Sequence, residues 1–241
     1  MEATETRDRW FTKSLVTDGA GSDTVPMRSP YWPLFELRIT TPRLEMRPPS
    51  DDDLAALAAL AADGVHEPGY MPFSIPWTEG GPEAAARNTL QFNWRLRAEW
   101  KPEDWHLTLV TLVDGEVVGN QGIGATTFAI TKTVETGSWV GLRHQGKGIG
   151  KEMRAAVLHF AFDGLGAEVA LSGAWADNAR SLGVSAAMGY EPNGERIGVR
   201  QGGGDRLVHL RLPRQTWEAR RRDDICIEGL DACRAEFGLT V

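Results

Sequence analysis

The sequence predicts a chain of the α/β (α+β) class, built on a mostly antiparallel sheet. The β-rich runs Trp105 to Val113 and Glu116 to Ala125 are separated by Asp114-Gly115, a pair that favours a tight type I′ turn and therefore a hairpin. A further strand, Thr133 to Leu142, leads through clustered glycines into an amphipathic helix that begins near Ile149. Strands and helices in this order predict a sheet covered by helices.

The composition is that of an ordinary folded domain. Of the 241 residues, 41% are hydrophobic and 24% are charged, and the length fits one large domain with or without extensions. The net charge of −7 disfavours nucleic acid as a partner, and no run approaches the ~18 apolar residues of a membrane span. Cys226 and Cys233 match neither a disulfide framework nor a zinc pattern, so we expect no metal and a cytoplasmic location.

We divide the chain into three regions: an N-terminal appendage over 1–29, a main domain over 30–217 and a C-terminal extension over 218–241. The appendage has little periodicity apart from a short apolar patch at Trp10, Phe11, Leu15 and Val16. Because a clear pattern begins only after Met27, one hypothesis places the natural start of the protein at Met27.

The other elements follow from local patterns. Residues 34–47 predict an opening strand pair, and the acids after Ser50 form a capping-box-like start to a helix at about 51–62. Pro82 fits the first position of a second helix, at about 82–100. Beyond the glycines we predict, in order, a strand at Val169 to Trp175, a helix at Asp177 to Met188, a strand at Arg206 to Leu212, a strand at Ile225 to Ile227 and a helix at Leu230 to Phe237.

The stretch from Gly64 to Gly81 is too irregular for a helix or strand and too apolar for a solvated linker. We interpret it as a substrate-facing loop. Its candidate substrate residues are His66, Tyr70, Met71, Phe73 and Trp77.

Clustered glycines between a strand and a helix present free N–H groups at the positive end of the helix dipole, which is a phosphate-binding arrangement. The nucleotide P-loop pattern fits Gly141 to Lys147, but Gly148 replaces the required Ser or Thr. The dinucleotide pattern G-x-G-x-x-G is not met, and the preceding strands are antiparallel in pattern. Magnesium-dependent ATP binding would test the P-loop alternative.

The third pattern, Q/R-x-x-G-x-G/A, is filled by Gln145, Gly148 and Gly150. In this loop the chain resembles the GCN5-related N-acetyltransferase (GNAT) superfamily, whose members hold the pyrophosphate of coenzyme A there. The resemblance covers about residues 34–217. It implies a GNAT fold, which is a mixed, mostly antiparallel twisted sheet with helices on both faces, splayed where coenzyme A enters.

Two further segments resemble the branch that contains the ribosomal-protein alanine acetyltransferases. They are the run from Thr41 to Arg47 and the Asn178-x-x-Ser181 segment that is followed by Gly189-Tyr190. Within the superfamily, the run from Trp32 to the C-terminal extension is similar to a mycobacterial succinyltransferase. The resemblance therefore implies acetyl-CoA or succinyl-CoA as co-substrate and a small-molecule or peptide-terminal primary amine as acceptor.

The resemblance also implies which residues hold the co-substrate. The strand end at Trp139 to Leu142 would pair with the pantetheine arm, and Arg143, Lys147 and Lys151 would add charge near the phosphates. Asn178 would bond the pantetheine amide, unless it is only a helix cap. The expected set is Val140, Gly141, Leu142, Arg143, Gln145, Gly146, Lys147, Gly148, Ile149, Gly150, Lys151, Asn178 and Ser181.

For catalysis, the resemblance implies that Ser181 donates a hydrogen bond to the departing thiolate, although a helix-terminal hydroxyl bonded to backbone is the alternative. Many members have a tyrosine where this chain has Ser185, which puts a tyrosine acid in doubt. The base is Glu135 or His66, with an exposed strand carboxylate and a packed loop histidine as the respective alternatives. Related enzymes have a glutamate where this chain has Arg200.

If the acyl group ends in a carboxylate, Arg200 or His66 would pair with it, because an unpaired buried charge costs several kcal/mol. A catalytically idle acyl-CoA-binding regulatory module on the same fold is the rival to an enzyme. Exposed apolar residues in the two extensions favour a homo-oligomer.

Overall fold

The computed structural model describes residues 29–239. The predicted appendage lies outside the described residues except for Ser29, and so does the hypothesis of a start at Met27.

Nine strands form one sheet among the described residues. They are β1 (Arg38–Thr40), β2 (Glu45–Arg47), β3 (Asp104–Val113), β4 (Glu116–Thr126), β5 (Thr133–Val140), β6 (Val169–Trp175), β7 (Glu191–Arg200), β8 (Gly203–Pro213) and β9 (Cys226–Glu228). Their spatial order is β7-β8-β6-β5-β4-β3-β2-β1-β9. Every neighbouring pair is antiparallel except β5 and β6, which are parallel. The predicted mixed, mostly antiparallel sheet is confirmed.

Seven α-helices connect these strands in the described part of the chain. They are α1 (Asp51–Asp63), α2 (Pro82–Ala98), α3 (Phe128–Thr131), α4 (Ile149–His159), α5 (Ala179–Met188), α6 (Arg214–Glu218) and α7 (Leu230–Cys233). Helix α1 begins with the predicted capping box, in which Ser50 and Asp53 bond each other's backbone N–H. Helix α4 ends in a π-helical turn, Phe160–Gly164.

The sheet has an apolar cluster on each face. Alternate residues of β3 point to opposite sides, so Leu107 and Leu109 join the main core with α4. Val110 and Leu112 join a smaller cluster with α1. The predicted helices on both faces of the sheet are therefore confirmed.

The predicted β3–β4 hairpin is confirmed, and its turn shows why the sequence was informative. Asp114 and Gly115 have φ angles of 49° and 81°, and a type I′ turn requires two such positive values. The opening strand pair is shorter than predicted, because Leu34 and Phe35 lie in a 3-10 turn, Pro33–Glu36.

Strands β5 and β6 separate along their length. They are bridged only from Thr133↔Val169 to Glu135↔Leu171, although β5 continues to Val140 and β6 to Trp175. Beyond Glu135, β5 keeps its pairing with β4, and β6 keeps its pairing with β8. The sheet therefore opens into a V whose apex lies at Glu135.

Strand β7 was not predicted. It contains Pro192 and Gly194, and all but one of its first nine residues are exposed, so no apolar alternation marks it. It forms one edge of the sheet as half of a hairpin with β8.

The residues after Trp217 complete the fold. Strand β9 pairs with β1 at the other edge of the sheet, and Phe237 packs against Trp100, Trp105 and Phe160 in the main core. The helix predicted from Leu230 to Phe237 is a short helix, α7, followed by a 3-10 turn, Arg234–Phe237.

Candidate functional site

The glycine loop presents a row of free backbone donors. Within residues 29–239, the N–H groups of residues 146–150 have no hydrogen-bond acceptor. Gly146 and Gly148 have φ angles of 76° and 81°, which open the loop just before α4 begins at Ile149. Consecutive N–H groups at a helix N-terminus suit a phosphate, so this loop fits a pyrophosphate.

Side chains from distant elements hold this loop in place. Gln145 donates from Nε2 to the carbonyl oxygens of Val65 and Val140, each at 2.8 Å. Glu152 on α4 accepts from Thr41 Oγ1 and from the Arg43 guanidinium, each at 2.5 Å. Thr41 and Arg43, at the beginning of the Thr41 to Arg47 motif, therefore anchor the start of α4.

The three predicted cations of the loop differ in their surroundings. Lys147 and Lys151 are exposed and have no carboxylate partner within the described part of the chain. Arg143, in contrast, is paired with Asp63 and with Glu116, the latter at 3.1 Å. The two lysines are therefore unpaired cations beside the glycine loop, whereas Arg143 is already neutralised.

The end of β5 lies between α1 and α4. A Cβ atom at Gly141 would be 2.4 Å from Leu60 Cδ1, so α1 packs directly on this glycine. A Cβ at Gly150 would meet Val140 at 3.9 Å and Val184 at 4.0 Å. Gly141 and Gly150 therefore allow α1 and α4 to pack closely against the end of β5.

Asn178 and Ser181 lie at the start of α5, close to the open end of the V. Asn178 is the N-cap of α5, since its Oδ1 accepts from the Ser181 N–H at 3.1 Å. The Ser181 hydroxyl has no hydrogen-bond partner in residues 29–239 and remains available. Ser185, at the position of the family's tyrosine, is buried and its hydroxyl has no partner there either.

The predicted substrate loop crosses the V. Trp77 contacts Trp139 of β5 with ring centroids 5.5 Å apart, and Trp175 of β6 donates from Nε1 to the Phe73 carbonyl oxygen at 3.2 Å. His66 packs edge-on against Phe73 and bonds Thr78 Oγ1 through Nε2 at 2.7 Å. The loop therefore bridges the two diverging strands with an aromatic wall.

Arg200 ties this loop to β7 and β8. Its Nη1 lies 2.9 Å from Asp177 and 2.7 Å from Asp205, its Nε donates to the Met71 carbonyl oxygen, and its guanidinium stacks on Tyr70 at 4.9 Å. This guanidinium lowers the pKa of Asp205, while burial and then Asp177 raise the pKa of Tyr70. Met71 itself is buried.

This pairing bears on the expectation that Arg200 meets a succinyl carboxylate. Two carboxylates already neutralise its charge, so Arg200 does not offer the free cation that a succinyl carboxylate requires. A different arginine, Arg154 on α4, is buried without a carboxylate partner within residues 29–239. It donates to Ser172 Oγ of β6 at 3.2 Å, and its Nε has no acceptor in this part of the chain.

Glu135 marks the apex of the V. It is exposed on the sheet face that α1 and α2 cover, opposite Gly124 of β4. Next to Gly124, on β3, lies His106, which the sequence analysis missed. The signal was present in the sequence: an isolated histidine in an apolar strand, followed by a strand with glycines at alternating positions 122 and 124.

The described residues contain no helix long and apolar enough to cross a membrane. In the same part of the chain, no group of three or more His, Cys, Asp or Glu side chains could hold a metal ion.

Comparison with known structures supports the same architecture. RimJ from Mycobacterium smegmatis, in complex with a CoA-disulfide, has a TM-score of 0.62 and 22% identity, with 83% of this chain and 92% of that chain covered. RimL, a ribosomal L7/L12 α-N-protein acetyltransferase in complex with coenzyme A, has a TM-score of 0.56 and 15% identity over 72% and 95%. A GNAT-family acetyltransferase from Bacillus anthracis has a TM-score of 0.55 and 14% identity over 74% and 99%. At these identities the likeness establishes the fold.

The family itself is established by the sequence. The model of the acetyltransferase (GNAT) domain matches residues 43–191, more than half of the chain. The match begins at the Arg43 anchor, includes the glycine loop and ends just after Tyr190. This protein therefore belongs to the GNAT acetyltransferase family.

Proposed function

We propose that this protein is an N-acetyltransferase that uses acetyl-CoA as donor and a primary amine as acceptor. The observation that carries the proposal is the row of five free N–H groups, at residues 146–150, beside the strand that separates from the sheet. A pyrophosphate on this row and an extended chain along β5 account for both features.

In this proposal, the V between β5 and β6 holds the pantetheine arm. Backbone groups of Trp139 to Leu142 pair with it, and Asn178 donates to it from Nδ2, since its Oδ1 caps α5. Lys147 and Lys151 neutralise the phosphates. The thioester then lies near the apex. With both substrates bound there, the amine attacks a thioester that is already positioned, as in an intramolecular reaction.

Transfer forms a C–N bond between the amine and the acyl carbon while the C–S bond breaks. Ser181, whose hydroxyl is free, stabilises the departing thiolate by a hydrogen bond. Glu135, at the apex, attracts the protonated amine on the opposite face of the sheet and helps it to lose its proton.

The acyl group is acetyl in this proposal, because Arg200 is neutralised by Asp177 and Asp205. Succinyl transfer is the second candidate, and one observation favours it: Arg154 is a buried cation without a carboxylate. If succinyl-CoA is a donor, Arg154→Met lowers kcat/KM for succinyl-CoA and spares acetyl-CoA. We expect Arg200→Ala to affect both donors equally.

The acceptor class follows from the loop over residues 64–81. An open aromatic wall at the V suits an amine carried on a larger molecule, such as a peptide N-terminus. RimL, which acts on the α-amine of a ribosomal protein, has the same fold. We therefore propose peptide-terminal amines before small ones.

Calorimetric titration with acetyl-CoA tests whether the glycine loop binds the pyrophosphate of the donor. We expect binding by the wild-type protein and about tenfold or weaker affinity in the Lys147→Ala/Lys151→Ala double variant, which loses two phosphate contacts. Lys101→Ala is the matched control, because Lys101 is an exposed lysine outside the glycine loop. No binding to acetyl-CoA or succinyl-CoA would refute the proposed function.

A further inference from the structure

A groove on the α2 face of the sheet has a floor of backbone rather than side chains. Gly124 of β4 pairs with Glu135, and Gly122 pairs with Gly137 of β5. A Cβ atom built on Gly137 would meet no atom within 4 Å. Glycines inside a strand mark a place where another chain or ligand approaches the backbone closely. The open space above Gly137 adjoins the apex of the V.

The ring of His106 lies over this glycine floor. A Cβ at Gly124 would lie 3.0 Å from His106 Nδ1, and a Cβ at Gly122 would lie 3.0 Å from Nε2. The same point above Gly122 is 3.4 Å from the Gly137 carbonyl oxygen. The ring therefore reaches from β3 across β4, with Nε2 directed to the Gly137 side. On its other side, Phe92 of α2 packs edge-on at 6.1 Å.

The groups around this open space are hydrogen-bond acceptors. Asn120, the next residue along the same face of β4, is only 7% exposed, and its Oδ1 has no partner in residues 29–239. Glu135 supplies a carboxylate from β5, in one row with Gly124 and His106. A protonated primary amine, which has only donors to offer, satisfies both groups.

The charges that bear on His106 are both carboxylates. They are Glu135 on β5 and Asp104 on its own strand, while β4 presents glycines to it and α2 presents the Phe92 ring. Both acids favour the charged imidazolium. Desolvation by the surrounding protein is nevertheless the larger effect, and it lowers the pKa of His106 below its ordinary value. The ring keeps contact with solvent.

We propose that His106 is the proton acceptor of the transfer reaction and that Asn120 and Glu135 hold the acceptor amine above Gly137. This inference rests on the proposed function and adds to it the group that receives the proton. The amine arrives as an ammonium ion and loses one proton to solvent through Glu135. As its lone pair forms the C–N bond and the C–S bond breaks, the second proton passes from nitrogen to His106 Nε2. The thiolate takes a proton from water and leaves as free thiol, and His106 returns its proton to the solvent, so one proton is released per turnover.

The test is the pH dependence of kcat/KM for His106→Gln, measured by thiol release with acetyl-CoA and a panel of primary amines and N-terminal peptides. Glutamine keeps the hydrogen-bonding capacity of the side chain but does not titrate near neutral pH. We expect a loss of roughly 100-fold in kcat at pH 8, within the range of general-base contributions. We also expect the decrease of kcat/KM at low pH that protonation of His106 causes in the wild type to be absent. The affinity for acetyl-CoA should be unchanged.

Two further variants keep the test decisive. Asn120→Ala should raise KM for the amine and leave acetyl-CoA binding unchanged, since Asn120 lies on the acceptor face. His159→Gln is the matched control: His159 is a buried histidine in the main core beside Trp217, and its pKa is also lowered by burial. Folded His159→Gln protein should keep the wild-type pH profile.

The outcomes separate the two proposals. A wild-type pH profile and a kcat within twofold of wild type in His106→Gln would overturn the inference and leave the proposed function intact. Loss of acetyl-CoA binding in His106→Gln would also overturn it, because it would show a general structural role. A wild-type protein that binds no acyl-CoA would refute the proposed function and this inference together.

Discussion

Ser181 and Asn178 show how one short motif serves two purposes. Asn178 caps α5 through Oδ1, which fixes the first turn of the helix, and this leaves the Ser181 hydroxyl free in the same turn. Asn178 therefore is a helix cap, and its Nδ2 is not used in that cap, while a Ser181 hydroxyl bonded to backbone is absent from the described residues.

We expect Ser181→Ala to lower kcat by about tenfold, since it removes one hydrogen bond to the thiolate. Acetyl-CoA affinity should stay within about twofold of the wild-type value. The variant keeps the backbone N–H of residue 181, which donates to Asn178 Oδ1 and so preserves the cap of α5. Steady-state kinetics and calorimetry on the same preparation check both values. An unchanged kcat would contradict the assignment of Ser181.

Arg200 gives a second prediction at this scale, in the pH dependence of stability. The pKa of Asp205 is lowered by Arg200, so the folded state keeps this carboxylate charged at pH values where the unfolded state is protonated. The stabilisation is present above the ordinary aspartate pKa and is lost as pH falls below it. Chemical denaturation from pH 5 to 3 should show this loss in the wild type and a smaller one in Arg200→Gln. An equal loss in both would contradict it.

At the level of elements, the C-terminal region makes a close backbone contact with the start of the fold, in addition to the β9–β1 pairing. Gly229, between β9 and α7, has a φ of 75°, and a Cβ there would lie 2.0 Å from the Glu36 carbonyl oxygen. Two backbones meet at this point, so no side chain can move aside. The contact sets how α7 and Phe237 enter the main core.

The matched pair Gly229→Ala and Gly166→Ala tests this contact. Gly166 has nearly the same φ, 76°, but a Cβ there would meet no atom within 4 Å. Both variants carry the conformational cost of a left-handed alanine, about 1–2 kcal/mol, and only Gly229→Ala adds a clash. Thermal denaturation should therefore show a clearly larger loss for Gly229→Ala. Equal losses would show that the contact is unimportant.

Local signals decided which elements were predictable. The Asp114-Gly115 turn and the Ser50 cap each contain their own chemistry, so the sequence predicted them correctly. Strand β7 has no such signal, because its exposed residues do not alternate. The glycine loop was predicted from its spacing together with the strand before it and the helix after it. His106 was missed because the isolated histidine and the alternating glycines become neighbours of Glu135 only through pairing across three strands.

At the scale of the whole molecule, the sheet separates two chemical environments. The glycine loop, α4 and α5 lie at one side of the V, and the groove with His106 lies on the α2 face. In the proposed reaction, donor and acceptor therefore reach the apex from opposite sides. This arrangement keeps each substrate's site independent of the other's.

Three histidines give a prediction for the stability of the whole fold. The pKa values of His106, His144 and His159 are all lowered, with desolvation as the largest cause. Below the ordinary histidine pKa of about 6.5, the unfolded chain binds protons that the folded chain does not, so stability falls as pH falls. Denaturant titrations at pH 7.5 and 5.5 should give a lower free energy of unfolding at pH 5.5, with a smaller difference in His159→Gln. Equal or greater stability at pH 5.5 would contradict this.

Turnover is the most direct test of the proposed acetyl transfer. Purified wild-type protein is incubated with acetyl-CoA and a panel of peptide-terminal and small primary amines, and free thiol and N-acetylated product are measured together. The proposed reaction predicts equal amounts of free thiol and N-acetylated product with at least one peptide-terminal amine. Ser181→Ala and His106→Gln should form both products much more slowly. Acetyl-CoA binding without product on any amine would contradict it and favour an acyl-CoA-binding regulatory module on the same fold.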